Sequence, residues 1–141
     1  MKSLLAALLL LPTAVLADRL TVEQPWIPAA PPKAMAHAAF MTLTNQGDTP
    51  AQIIGVRAEG YMMSHIHMSD EKDGIATMSS VDMIEIAPGQ TVALKHGGLH
   101  IMLMKPMSPK AEGDTVALTL EFSDGATQEV TATVMKKHHG M

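Results

Sequence analysis

From Thr115 to Phe122 the chain alternates, with Val116, Leu118, Leu120 and Phe122 separated by Thr115, Ala117, Thr119 and Glu121. A period of two marks a strand with one face buried. Ser123-Asp124-Gly125-Ala126 then supplies an Asp-Gly turn. Residues 127–135 alternate again through Val130, Ala132 and Val134. The pair predicts a C-terminal β-hairpin.

Similar short runs predict strands over 20–24, 36–44, 52–58, 62–68, 80–86, 91–95 and 99–104. Turn chemistry separates several of them: Asn45-Gln46-Gly47-Asp48, Ala87-Pro88-Gly89-Gln90, Gly97-Gly98 and Glu112-Gly113-Asp114. No window beyond the N-terminal segment carries a helical stripe. Many short strands at this spacing predict an all-β, single-domain antiparallel sandwich or barrel. The Pro-rich stretch from Pro25 to Pro32 reads as an irregular crossover. Trp26 within it either plugs one end of the barrel or lies beside a site, and the sequence leaves both open.

The N-terminus differs from the rest. Lys2 precedes an apolar run from Leu4 to Leu11, and Val15 and Ala17 stand where a signal peptidase expects small residues. The run is short for a bilayer span, which needs about 20 residues. Residues 1–17 are therefore expected to be a cleaved signal peptide with Asp18 as the mature start, which predicts an exported, periplasmic protein. Residues 18–134 form the expected β-barrel domain, and 135–141 a short tail containing His and Met. With no cysteine in the chain, neither a lipid anchor nor a disulfide is expected.

The charge balance is mildly acidic, 10 Lys and Arg against 14 Asp and Glu, and no basic patch exists. Nucleic acid is thus not an expected partner, nor is stable membrane insertion, and the domain is expected to be a monomer. Methionine is abundant, 13 residues, whereas Phe, Tyr and Trp together make up 3%. Methionine fills irregular core gaps, and that role is expected for Met35, Met41 and Met83.

Met102 and Met104 fit that role less well. In Leu99-His100-Ile101-Met102-Leu103-Met104, the aliphatics share one strand face and His100, Met102 and Met104 the other. His100 and Met102 are thereby expected to point outward together, away from the core. Likewise His65 and His67 share a face of the 62–68 strand, opposite Ile66 and Met68. Met78 follows the loop 69–74. Imidazole and thioether are soft, neutral donors that suit monovalent copper and suit hard cations poorly. Taken singly, each of these residues also has a structural reading. His37 and His96 are read as structural. The tail residues His138, His139 and Met141 are candidates for an accessory site, where imidazole would suit Cu(II).

The combination H-x10-M-x21-H-x-M, formed by His67, Met78, His100 and Met102, resembles the motif of the periplasmic copper chaperone family often called PCuAC. The resemblance extends to the Trp26 segment, Phe40-Met41-Thr42-Leu43-Thr44-Asn45, Ile86-Ala87-Pro88-Gly89 and Glu112-Gly113-Asp114-Thr115-Val116. It implies a cupredoxin-like Greek-key β-barrel and Cu(I) held by His67, Met78, His100 and Met102. It also implies delivery to the CuA centre of cytochrome c oxidase, through subunit II or a Sco-type protein. Relatives often carry His-Glu-Met at the first ligand; here the order is His67-Met68-Ser69. An auxiliary Met is thus displaced to Met68, and His65 competes. Accessory donors are then His65, Met68 and Met104.

Rival readings are bounded by the same residues. Blue copper needs a thiolate, which this chain cannot supply. An N-terminal His brace does not fit a mature start at Asp18, and no hydrolase constellation has context, so no enzyme activity is expected. The remaining alternative is a periplasmic buffer that sequesters copper for tolerance.

Overall fold

The computed structural model describes residues 18–136. The expected signal peptide and the tail donors His138, His139 and Met141 lie outside them. Ten strands follow one another: β1 (Leu20–Pro28), β2 (Ala36–Asn45), β3 (Ala51–Ala58), β4 (Tyr61–Lys72), β5 (Ile75–Ser80), β6 (Ile84–Ile86), β7 (Thr91–Leu94), β8 (Leu99–Pro106), β9 (Thr115–Phe122) and β10 (Thr127–Met135). The fold is all-β, with no helix among the described residues.

Hydrogen-bonded neighbours run β5-β4-β8-β2-β1-β10-β9-β3-β6, and β7 also pairs with β2. The first half of β2 pairs with β8, through Ala36↔Met104 to Ala39↔Ile101. Its second half pairs with β7, from Met41↔Leu94 to Thr44↔Thr91. This one long strand therefore belongs to both walls of the barrel. The walls approach again where β3 packs on β4, and the Ser64 hydroxyl donates to the Val56 carbonyl. First and last strands are parallel neighbours, with Trp26↔Thr133 and Pro28↔Met135.

The predicted hairpin is present, from Thr127↔Glu121 to Thr133↔Thr115. Its alternation places Val116, Leu118, Leu120, Phe122, Val130, Ala132 and Val134 in the core. Ile27, Leu43, Ile53, Ile101 and Leu103 complete that core from the other strands. Truncating one of these to Ala would cost about 2–5 kcal/mol. Gln128 is also inward, and its side chain closes both backbone groups of Leu20: the amide donates to the carbonyl at 2.7 Å and Oε1 accepts from the N–H at 2.9 Å. Buried polar groups survive on such pairing.

Three expectations need correction. The Pro-rich stretch is no crossover, because β1 continues through Pro25 to Pro28. Its register against β2 shifts between Glu23 and Trp26, and Gln24 takes φ 48°. The missing N–H of Pro25 falls in that bulge, where no ladder bond is lost. The 80–86 run is split between β5 and β6, since β5 is drawn into a hairpin with β4. Of the methionines expected in the core, only Met41 is buried. Met35 and Met83 are exposed, Met35 at the entry to β2 and Met83 just before the three-residue β6.

Candidate metal centre

Strands β5, β4 and β8 lie side by side, and their register decides which side chains meet. Between β4 and β8 the partners are Met63↔Met104, His65↔Met102 and His67↔His100. Between β4 and β5, Ser69 faces Met78. Directly opposite residues share a sheet face, as do residues two apart on one strand. His67, Met78, His100 and Met102 therefore project from the same face, together with His65 and Met104. Ile66, Ile101 and Leu103 take the opposite face and are buried.

Met78 reaches this face through a tight turn. Lys72 pairs with Ile75, and the two residues between them, Asp73 and Gly74, have φ 54° and 77°. Asp-Gly with positive φ at both positions makes a two-residue hairpin whose twist matches the flanking strands. The loop expected over 69–74 is thus only its last two residues, since β4 runs on to Lys72, and the Asp-Gly dipeptide is the signal that marks the turn. At the other flank the Lys95–Leu99 turn brings β8 back from β7, with Gly97 at φ 80°. The Gly98 carbonyl there accepts two bonds at 3.0 Å, from the Ser69 N–H and from His100 Nδ1.

Because a carbonyl only accepts, His100 carries a proton on Nδ1, which leaves Nε2 as the nitrogen able to offer a lone pair. His100 points away from the core as the strand pattern predicts, yet it is only 4% exposed. A row of rings crossing four strands accounts for this cover. Trp26 lies 5.6 Å from Phe40, Phe40 6.4 Å from His100, and His100 5.9 Å from His67 between ring centres. Trp26 thus stands behind the site, one ring removed from His100.

His67 meets His100 edge-on at 76° and lies nearly parallel to His65, 6.1 Å away. Its Nδ1 is buried and has no hydrogen-bond partner. Such an atom costs roughly 1–3 kcal/mol in desolvation. Burial first, then the neighbouring His100 and His65, hold the His67 pKa below the ordinary value of 6.5. The ring is consequently neutral at pH 7, with its unprotonated nitrogen available.

The thioethers are arranged unequally. Met102 is partly covered, whereas Met78 is 53% exposed at the sheet edge. Met68 is not brought to this face: as the residue after His67, it leaves on the other side of β4. His37 and His96 are apart from the cluster. His37 is buried and its Nδ1 lies 2.7 Å from the Tyr61 hydroxyl, while His96 is exposed in the Lys95–Leu99 turn. Among the described residues no three His, Asp or Glu side chains gather closely enough to hold a metal ion. A metal ion held on this face would have to draw on the thioethers as well as the imidazoles.

No helix among the described residues is long and apolar enough to cross a membrane. Comparison with known proteins gives a consistent picture. A family profile described as putative lipoprotein LpqE-like matches residues 20–134. Putative lipoprotein Lxx21020 of Leifsonia xyli subsp. xyli is 34% identical over 119 residues, which are 84% of this chain and 70% of that protein. The solution structure of CuI-DR1885 from Deinococcus radiodurans is 34% identical, with a TM-score of 0.69 over 92% of this chain and 87% of that one. The copper-bound PCuAC domain from PmoF2 shares 22% identity and a TM-score of 0.70, over 85% of this chain and 95% of its own. That likeness establishes a common fold. With a profile match over nearly all the described residues and a relative at this identity, the chain belongs to the LpqE-like family.

Proposed function

We propose that this protein is a Cu(I) carrier of the periplasm, with His67, Met78, His100 and Met102 as ligands. The observation that carries the reading is the buried, unpartnered Nδ1 of His67 on the one face that also presents His100, Met102 and Met78. A polar atom left unsatisfied beside neutral imidazole and thioether donors is the arrangement a soft monovalent ion would complete. The 34% identical CuI-DR1885 supports the choice of metal.

Copper is the cargo. Neither thioether needs deprotonation, and burial holds His67 towards its neutral form, so loading at pH 7 releases few protons. A thiolate in an oxidising compartment is open to disulfide formation, which a thioether cannot undergo. Met78, exposed at the sheet edge, is the donor an acceptor can replace first, with His100 and Met102 releasing the ion afterwards. The acceptor we favour is the CuA centre of cytochrome c oxidase subunit II, directly or through a Sco-type protein. Export follows from cleavage after Ala17, and the tail imidazoles His138 and His139 would add a Cu(II)-binding accessory.

Anaerobic titration against a Cu(I) chelator tests the site. One tight equivalent is expected, lost in His100→Ala and in Met102→Ala, with X-ray absorption counting two sulfur and two nitrogen neighbours. Unchanged binding in both variants would overturn the assignment. Loss of the gene should lower oxidase activity under copper limitation; raised copper sensitivity with normal oxidase would instead mark a copper buffer.

A further inference from the structure

The face that presents His67 and His100 continues past them. One row along β4 and β8 stand His65 and Met102, and the next row is Met63 opposite Met104. Met63 is 42% exposed, His65 is exposed and Met104 partly so. On its β2 side Met104 faces Ala36, whose methyl group leaves that flank open. A half-solvated antiparallel sheet ordinarily places polar residues on its wet face. Here the wet positions are thioethers and an imidazole, while the core beneath is already filled by Ile66, Ile101 and Leu103. Packing gives these donors no reason to be where they are.

We infer that Met63, His65 and Met104 form a second, weaker Cu(I) position beside the first. Side chains of directly opposed residues start about 5 Å apart at Cβ, a separation two flexible thioethers close readily around one ion. His65 adds a nitrogen from the next row, giving a neutral His and two Met set of the kind soft monovalent copper accepts. Consecutive rows lie about 6.7 Å apart, and Met102, the register partner of His65, stands between the two positions. It is placed to pass from one ion to the other, making the outer position an entry or exit step for the cargo. Only this order of filling rests on the reading of the first site; the outer donors stand on their own register.

The test uses the full chain with 13C-labelled methionine methyl groups, titrated anaerobically with Cu(I) and, separately, with redox-inert Ag(I). The first equivalent should move the Met78 and Met102 methyl signals, and a second, weaker equivalent those of Met63 and Met104. Met63→Leu with Met104→Leu, which preserves volume and apolarity, should abolish the second equivalent and leave the first within about twofold, well under the tenfold that 1.4 kcal/mol represents. His65→Gln should weaken the second equivalent alone. A single equivalent in the unaltered protein, or a second one that survives the double variant and moves Met141 instead, would overturn the proposal. Failure of the first site reads differently: His100→Ala would then leave the first equivalent intact while the Met63 and Met104 signals still respond.

Discussion

His67 and His100 are register partners on adjacent antiparallel strands, their rings 5.9 Å apart and crossed at 76°. Only one of them is satisfied by the protein: His100 donates to Gly98, and His67 keeps a buried nitrogen with nothing to bond. The fold therefore carries a local cost at His67 that a partner on this nitrogen would remove.

That asymmetry predicts an unusual mutant. His67→Leu should leave the metal-free protein at least as stable as the parent, because it deletes the unsatisfied atom, with a gain up to about 1 kcal/mol. The same variant should lose the stabilisation that excess ligand confers on the parent. Urea unfolding with and without Ag(I) measures both.

The Asp73-Gly74 turn sets where Met78 arrives. A Cβ at Gly74 would meet no atom, but the position has φ 77°. Gly74→Ala should thus cost only the left-handed backbone penalty, about 1 kcal/mol. Cu(I) affinity should fall as well, because the turn fixes the register that brings Met78 to the ligand face. Chelator competition beside thermal unfolding separates the two effects.

Trp26 is the chain's one tryptophan, and Phe40 stands between it and His100. Its emission should change on Ag(I) or Cu(I) binding. Phe40→Leu should shrink that response and destabilise the fold by about 1–2 kcal/mol, from lost ring contacts and core volume. Fluorescence titration of both proteins is the check.

Acid should act through His37. Burial, then the charge of Lys110, hold its pKa below the ordinary 6.5. Burial also pushes the Tyr61 hydroxyl up to about 12, so Tyr61 stays protonated and hydrogen-bonded to His37 across this range. Above pH 6.5 the folded and unfolded states bind the same number of protons at this residue, and its contribution is fully present. As pH falls below 6.5 the unfolded chain takes up a proton first, and stability declines until the folded pKa is passed. His37→Gln should have a flatter stability profile between pH 7.5 and pH 5 in urea unfolding.

Much of this arrangement was legible in the residues because β alternation is a local property. Val116 to Phe122 declared its buried face without help, and Leu99 to Met104 placed His100 and Met102 on a common side. What stayed hidden depended on neighbours far along the chain. Whether His100 is exposed depends on Phe40 and His67, which join it only across strands. The arrival of Met78 turned on reading Asp73-Gly74 as a two-residue hairpin rather than part of a loop. Pro25 suggested a strand's end, and only a bulge against β2 let the strand pass through it.

The carbonyl of Gly98 holds the Ser69 N–H and the His100 ring at once. Backbone position and imidazole orientation are thereby geared to one oxygen. Any body that leans on the Lys95–Leu99 turn and shifts this oxygen will swing the ring, so contact at the rim is felt at the donor atom without a hinge or a moving domain.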